Sequence, residues 1–278
     1  MPPVRLIIQA GKSDAMTETT STFIHFVLIR GLIREAAHWG ELPARLRQTF
    51  PGARVSCLDI PGAGVLHRER TPLSVTDMVT AMRETFLAQQ QRQEITCLLA
   101  ISLGGMIAAN WLQRFPGDFR CAVLINTSFG DLSPLHHRLR PGALGWMTLA
   151  ALAPARHKEA LILRMVSNDA EAARTALPQW QQIRTERPVA LGNAVRQLWA
   201  ASRFRLGNDR PAVPVLLLAG TRDRMVHVDC SRVIARTWQV SLQEHSQAGH
   251  DLALDDPDWI VNKTHQFIHD SAGKTGVR

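Results

Sequence analysis

A hydroxyl, a carboxylate and an imidazole stand along the chain in the order Ser102, Asp223, His250, a set in which the imidazole can take the hydroxyl proton while the carboxylate steadies it. Ser102 lies in Ala100-Ile101-Ser102-Leu103-Gly104, with a small residue two before it and two after it, an A-x-S-x-G pattern. That spacing permits a sharp strand-to-helix turn which lifts the hydroxyl clear and leaves backbone N–H groups at a helix start facing a developing oxyanion. A serine hydroxyl is a poor nucleophile near neutral pH until an imidazole takes its proton. The imidazole in turn needs a carboxylate to fix its tautomer and steady its charge. On the pentapeptide alone, a serine that merely caps the next helix fits equally well, so context must decide.

Each group needs an element that delivers it to one place. Residues 95–101 form an apolar, β-favouring run that predicts a buried central strand, and 106–112 favour a helix. Residues 213–219 predict a strand running into Gly220-Thr221-Arg222-Asp223, and a short strand over 240–244 precedes Gln247-Ala248-Gly249-His250. Carboxylate and imidazole therefore fall on loops at strand C-termini, the rim where open parallel sheets bind ligands. The rest of the chain keeps the alternation: strand 23–29, amphipathic helix 35–50, strand 54–60, helix 74–91 capped by Ser74, strand 119–125, helix 228–238 and helix 259–269. It predicts an α/β fold, a mostly parallel central sheet with helices on both faces. A possible strand at 4–9 sits in an otherwise loose stretch 1–21, and the polar tail 271–278 is expected to fray.

The alternation breaks between 127 and 210, where only helical patterns occur: 142–152, 157–166, 170–177 and 190–202. An all-helical block of this size predicts an insertion folded over the sheet end as a cap, leaving 22–126 and 211–270 as the core. This segment holds twelve basic residues against six acidic ones, most of the net charge of +8. Its apolar helix with Trp146, Met147 and Leu149 is a candidate lining for a substrate chain, although such a stripe more often packs internally. The tryptophans at 39, 111, 180, 199 and 238 are expected in the core.

Composition narrows the class. A chain of 278 residues, 45% apolar, suits one large α/β domain with an insertion. The basic charge is dispersed, without the basic runs and interleaved aromatics of a nucleic-acid surface. No window approaches the roughly 18 uninterrupted apolar residues of a membrane span, and the start has too short an apolar run for a signal peptide. A soluble cytoplasmic protein is the expectation. Cys57, Cys97, Cys121 and Cys230 form no C-x-x-C pair, which suggests reduced core thiols rather than disulfides or a zinc site.

Together with the turn Asp59-Ile60-Pro61-Gly62-Ala63-Gly64, and with Arg30-Gly31 where the family usually has His-Gly, these motifs resemble the α/β-hydrolase superfamily over roughly residues 22–270. The resemblance implies Ser102 as nucleophile, His250 as general base and then acid, Asp223 as orienting carboxylate, and the backbone N–H groups of Leu103 and Leu32 as oxyanion donors. It implies no metal or organic cofactor. Two positions depart from the pattern. Ala100 replaces a glycine, a change the turn tolerates because a methyl is small. Arg30 replaces the histidine, and a buried arginine must be paired, by an acidic neighbour or, if it faces the pocket, by a substrate carboxylate. The acidic neighbour is the preferred reading. Asp131 is the rival acid, whereas His25, His245 and Asp251 read as structural. The implied activity is hydrolysis of a small-molecule carboxylic ester or thioester through an acyl-enzyme. The pimeloyl-acyl-carrier-protein methyl ester esterases are similar in architecture and order, and a basic cap could steer such an acidic carrier. A non-catalytic ligand receptor, carbon–carbon bond hydrolysis and lyase chemistry use the same scaffold.

Overall fold

Six short apolar segments build the sheet. In the computed structural model, which describes residues 23–90, 94–207 and 209–274, they are β1 (Phe23–Ile29), β2 (Arg54–Leu58), β3 (Glu94–Ile101), β4 (Cys121–Ile125), β5 (Val215–Gly220) and β6 (Ser241–His245). The expected strand at 4–9 lies outside the described residues. All neighbours pair in parallel, in the order β2-β1-β3-β4-β5-β6. The order reverses between β1 and β3, so the crevice above their C-terminal ends is the switch point where ligands bind in open α/β sheets.

Side chains of the central strands alternate between two cores, as the period of two requires. Leu98 and Ala100 of β3 face α2 (Val75–Gln89) and α3 (Leu103–Arg114), whereas Cys97, Leu99 and Ile101 face α1 (Leu42–Thr49) and the closing helix. With both faces covered, β3 and β4 can be apolar along nearly their whole length.

Between β4 and β5 lie five helices: α4 (Leu135–Arg138), α5 (Pro141–Leu152), α6 (Ala155–Val166), α7 (Ala170–Glu186) and α8 (Leu191–Arg203). Helices α5, α6 and α7 share a core that includes Leu163, Met165, Trp180 and Ile183 and continues into Met225 and Cys230, whereas α8 sends Ala200 into the core that faces α2 and α3. The chain then completes the sheet through α9 (Asp229–Trp238), the one-turn α10 (Leu252–Asp255) and α11 (Pro257–Lys274). None of the described helices is long and apolar enough to cross a membrane.

Several boundaries differ from the sequence expectation. The helix expected at 35–50 is split into a 3-10 turn, Ala36–Trp39, and α1, because Gly40 takes φ 54° and Pro43 starts a new helix. Helix α7 does not stop at Leu177 but continues through Pro178 to Glu186. At the C-terminus α11 extends through Lys274, and the rest of the tail expected to fray lies outside the described residues. Trp199 is half exposed, with the Arg203 guanidinium 4.7 Å from its ring centroid, so it is not a core residue.

Candidate active site

Strand β3 ends at Ile101 and α3 begins at Leu103, so Ser102 alone makes the turn, with φ 57° and ψ −121°. That is a costly conformation for a residue with a Cβ. Its surroundings hold it there: the Ser102 N–H donates to the Ile125 carbonyl at 2.9 Å, and its carbonyl accepts from the Thr127 hydroxyl at 2.9 Å. The side chain does not cap α3. Among the described residues its hydroxyl makes no hydrogen bond, and it faces a cavity of about 480 Å³.

Two glycines make the corner possible. A methyl on Gly104 would meet the carbonyl oxygens of Ile29 and Arg30, the latter at 2.6 Å, and one on Gly31 would lie 2.8 Å from the Ser102 Cβ. Ala100, by contrast, is fully buried between Ile29 and Leu124, where its methyl fits.

The loop after β5 brings Asp223 to the same rim. One of its carboxylate oxygens accepts from the N–H groups of Met225 (2.6 Å) and Val226 (3.0 Å), and the other accepts from His250 Nδ1–H at 2.7 Å. This bond fixes the tautomer and leaves Nε2 as the free ring nitrogen of His250, which lines the same cavity as Ser102. Burial favours the neutral imidazole, but the Asp223 carboxylate and its hydrogen bond, helped by Asp251, outweigh burial and raise the His250 pKa above the ordinary histidine value.

Arg30 has its acidic neighbour. Its guanidinium forms a buried two-pronged pair with Asp251, one bond at 3.1 Å, and lies over the Trp39 ring at 4.7 Å. Arg30, Asp251 and Leu32 all line the cavity wall, whereas Leu103 is buried at the start of α3. Trp146 is not part of that wall. It packs into the core of the insertion with Arg164 over its ring, and Leu144 and Met147 of the same helix line the cavity instead. The rival acid Asp131 accepts from the N–H groups of Leu206 and Gly207 and so anchors a different loop. His25 bonds to Ser56 and Arg54, and His245 to Asp256, both away from the three groups of interest.

Three residues that hold the site were not singled out from the sequence. Asn126, buried with φ 46°, accepts from Gly220 N–H at 2.9 Å and donates to the His250 carbonyl at 2.8 Å, tying the acid loop to the base loop. Asp255 accepts from Gly249 N–H and from the Ser167 hydroxyl, joining the base loop to the insertion. Asn168 donates to the carbonyls of Arg222 and Gln247. A further link is the Asp251 N–H, which donates to the Val166 carbonyl at the end of α6 at 2.9 Å. The only signal was a polar residue directly after an apolar strand at Asn126. Among the described residues, His137, His227 and Asp229 could ligate a metal, with ligand atoms within 4.8 Å of one another, but Asp229 is already held by Arg232 at 3.0 Å. The four cysteines are free, three of them buried.

The arrangement can be set beside known proteins. A stretch of 104 residues is 29% identical to Methylesterase 17 of Arabidopsis thaliana, covering 37% of each chain, so the match spans little more than a third of that relative. An esterase from Exiguobacterium antarcticum superposes with a TM-score of 0.72 at 14% identity, over 89% of this chain and 92% of that one. A putative non-heme bromoperoxidase, BpoC, from Mycobacterium tuberculosis gives 0.68 at 20% identity, over 90% and 93%. At such identities the likeness concerns the fold. The family model described as alpha/beta hydrolase fold matches residues 24–257, and with the parallel sheet and its switch-point crevice this chain belongs to that family.

Proposed function

We propose that this protein is a serine hydrolase that cleaves a carboxylic ester through an acyl-enzyme on Ser102. The observation that carries the reading is the meeting of two features in one cavity: a serine in a strained corner with an uncommitted hydroxyl, and an imidazole whose far nitrogen is bound by a buried carboxylate. In this reading His250 Nε2 takes the Ser102 proton as the hydroxyl attacks the ester carbonyl, and Asp223 stabilises the resulting imidazolium. The oxyanion is met by the backbone N–H groups of Leu103 and Leu32. His250 then protonates the leaving alcohol, and in the second half it activates the water that releases the acid. Both groups line one cavity, and catalytic hydrogen bonds of this kind tighten in the substrate complex.

The esterases among the structural neighbours and the methylesterase relative support ester cleavage in particular. The helical insertion serves as a lid, because its residues complete the apolar wall over the serine. Replacing Ser102 with Ala is expected to abolish both turnover of a short p-nitrophenyl ester and labelling by a fluorophosphonate. Activity retained in that variant would sink the assignment.

A further inference from the structure

The charges on the cavity wall are unevenly balanced. Near the serine, Arg30 is matched by Asp251. Helix α6 runs away from that end: it presents Val166, Met165, Ile162 and Lys158 to the cavity, positions that share one helix face. Its Val166 end touches the base loop through the Asp251 N–H. Lys158 lies eight residues earlier, about 12 Å along the helix at the usual rise per residue.

Arg34 and Arg184 also line the cavity, and both pair with the single carboxylate of Glu159, at 3.2 Å and 2.5 Å. Arg34 is fixed against the Trp180 ring at 4.6 Å. Lys158 donates to the Ala151 carbonyl at 2.9 Å and, among the described residues, has no carboxylate within 4.0 Å. Two of these cations thus share one anion, and Lys158 has none. Closing the C-terminus of α5 accounts for one of the three Lys158 donors and leaves two. Between the two ends the wall is apolar, with Leu144, Met147, Ile162 and Leu198.

We propose that the end of the cavity marked by Lys158 is an anion subsite, and that the substrate is an ester whose apolar stem ends in a carboxylate. The proposal rests on the hydrolase reading above. An apolar chain matches the middle of the cavity, and a terminal carboxylate supplies the charge that the far wall lacks, in a partly buried setting where ion pairing is stronger than in water.

The test compares half-esters of dicarboxylic acids of graded length with methyl esters of the matching monocarboxylic acids. The expected result is a kcat/KM advantage of about tenfold or more for the half-ester at one preferred length, carried by KM and reduced by salt. In the variant Lys158→Glu, with its thermal midpoint measured to confirm folding, the ratio between the two substrates should fall by about tenfold. Equal turnover of both ester series at every length, or an unchanged ratio in Lys158→Glu, overturns the subsite and leaves the hydrolase reading standing. If neither ester turns over while Ser102 still labels with fluorophosphonate, protection from labelling decides. Protection by the half-ester alone supports the subsite, and equal or no protection overturns it. Loss of both turnover and labelling in the folded wild-type protein defeats the hydrolase reading, and the subsite with it.

Discussion

His250 is pulled in two directions, by burial toward the neutral ring and by Asp223 and Asp251 toward the cation, and the carboxylates prevail. In the proposed mechanism His250 must be neutral to accept a proton, so kcat/KM should fall as pH drops through a value above that of an ordinary histidine. In Asp223→Asn the main opposing charge is gone and burial dominates, so the acid limb should move to lower pH while kcat drops by about three to four orders of magnitude. A pH profile of both proteins on one ester checks the sign. The three groups were legible in the sequence because each follows a recognisable strand. The partner of Arg30 was not, since Asp251 is brought to it from 221 positions away. Asn126 was equally hidden, because its role depends on two loops that meet only after the sheet has formed.

At the level of elements, the corner from β3 to α3 depends on how closely α3 can approach β1. Gly104→Ala places a methyl against main-chain oxygens of Ile29 and Arg30, which cannot rotate away as a side chain would. It should cost about 1–3 kcal/mol of stability and slow the labelling of Ser102, whereas Ala100→Gly should leave labelling nearly unchanged. Urea denaturation and fluorophosphonate labelling rates measure the two effects. The strands were well anticipated, since an apolar run covered on both faces is hard to mistake. The helices were less so. At Gly40 the backbone turns to positive φ and divides one amphipathic pattern into two elements. At Pro178 a residue that usually ends a helix sits inside α7, so a break expected from the sequence is absent.

For the whole molecule, the contact that matters is between the helices that follow β4 and the rest of the chain. Much of the basic charge seen in the sequence acts here as fastening rather than as a free surface. Arg140 donates to the carbonyl of Asp223 and Arg196 to that of Thr71, each crossing to the core, whereas Arg138 ties α4 to the carbonyls of Ala201 and Ser202 within the helical segment. This use could not be read from charge counts, which record how many arginines there are but not what they face. Arg187 holds the buried Glu35, on the loop after β1, through bonds of 2.6 to 3.1 Å. Arg187→Gln should destabilise the protein by about 1–3 kcal/mol, speed hydrogen exchange in residues 31–35, and raise KM. Exchange mass spectrometry and steady-state kinetics would register both.

The residue that follows His250 hangs by its main-chain N–H from the end of α6. On the lid reading proposed above, a swing of the roof that admits a substrate would tug on the imidazole and a guest that settles the roof would steady it, so entry and readiness to react would share one mechanical linkage.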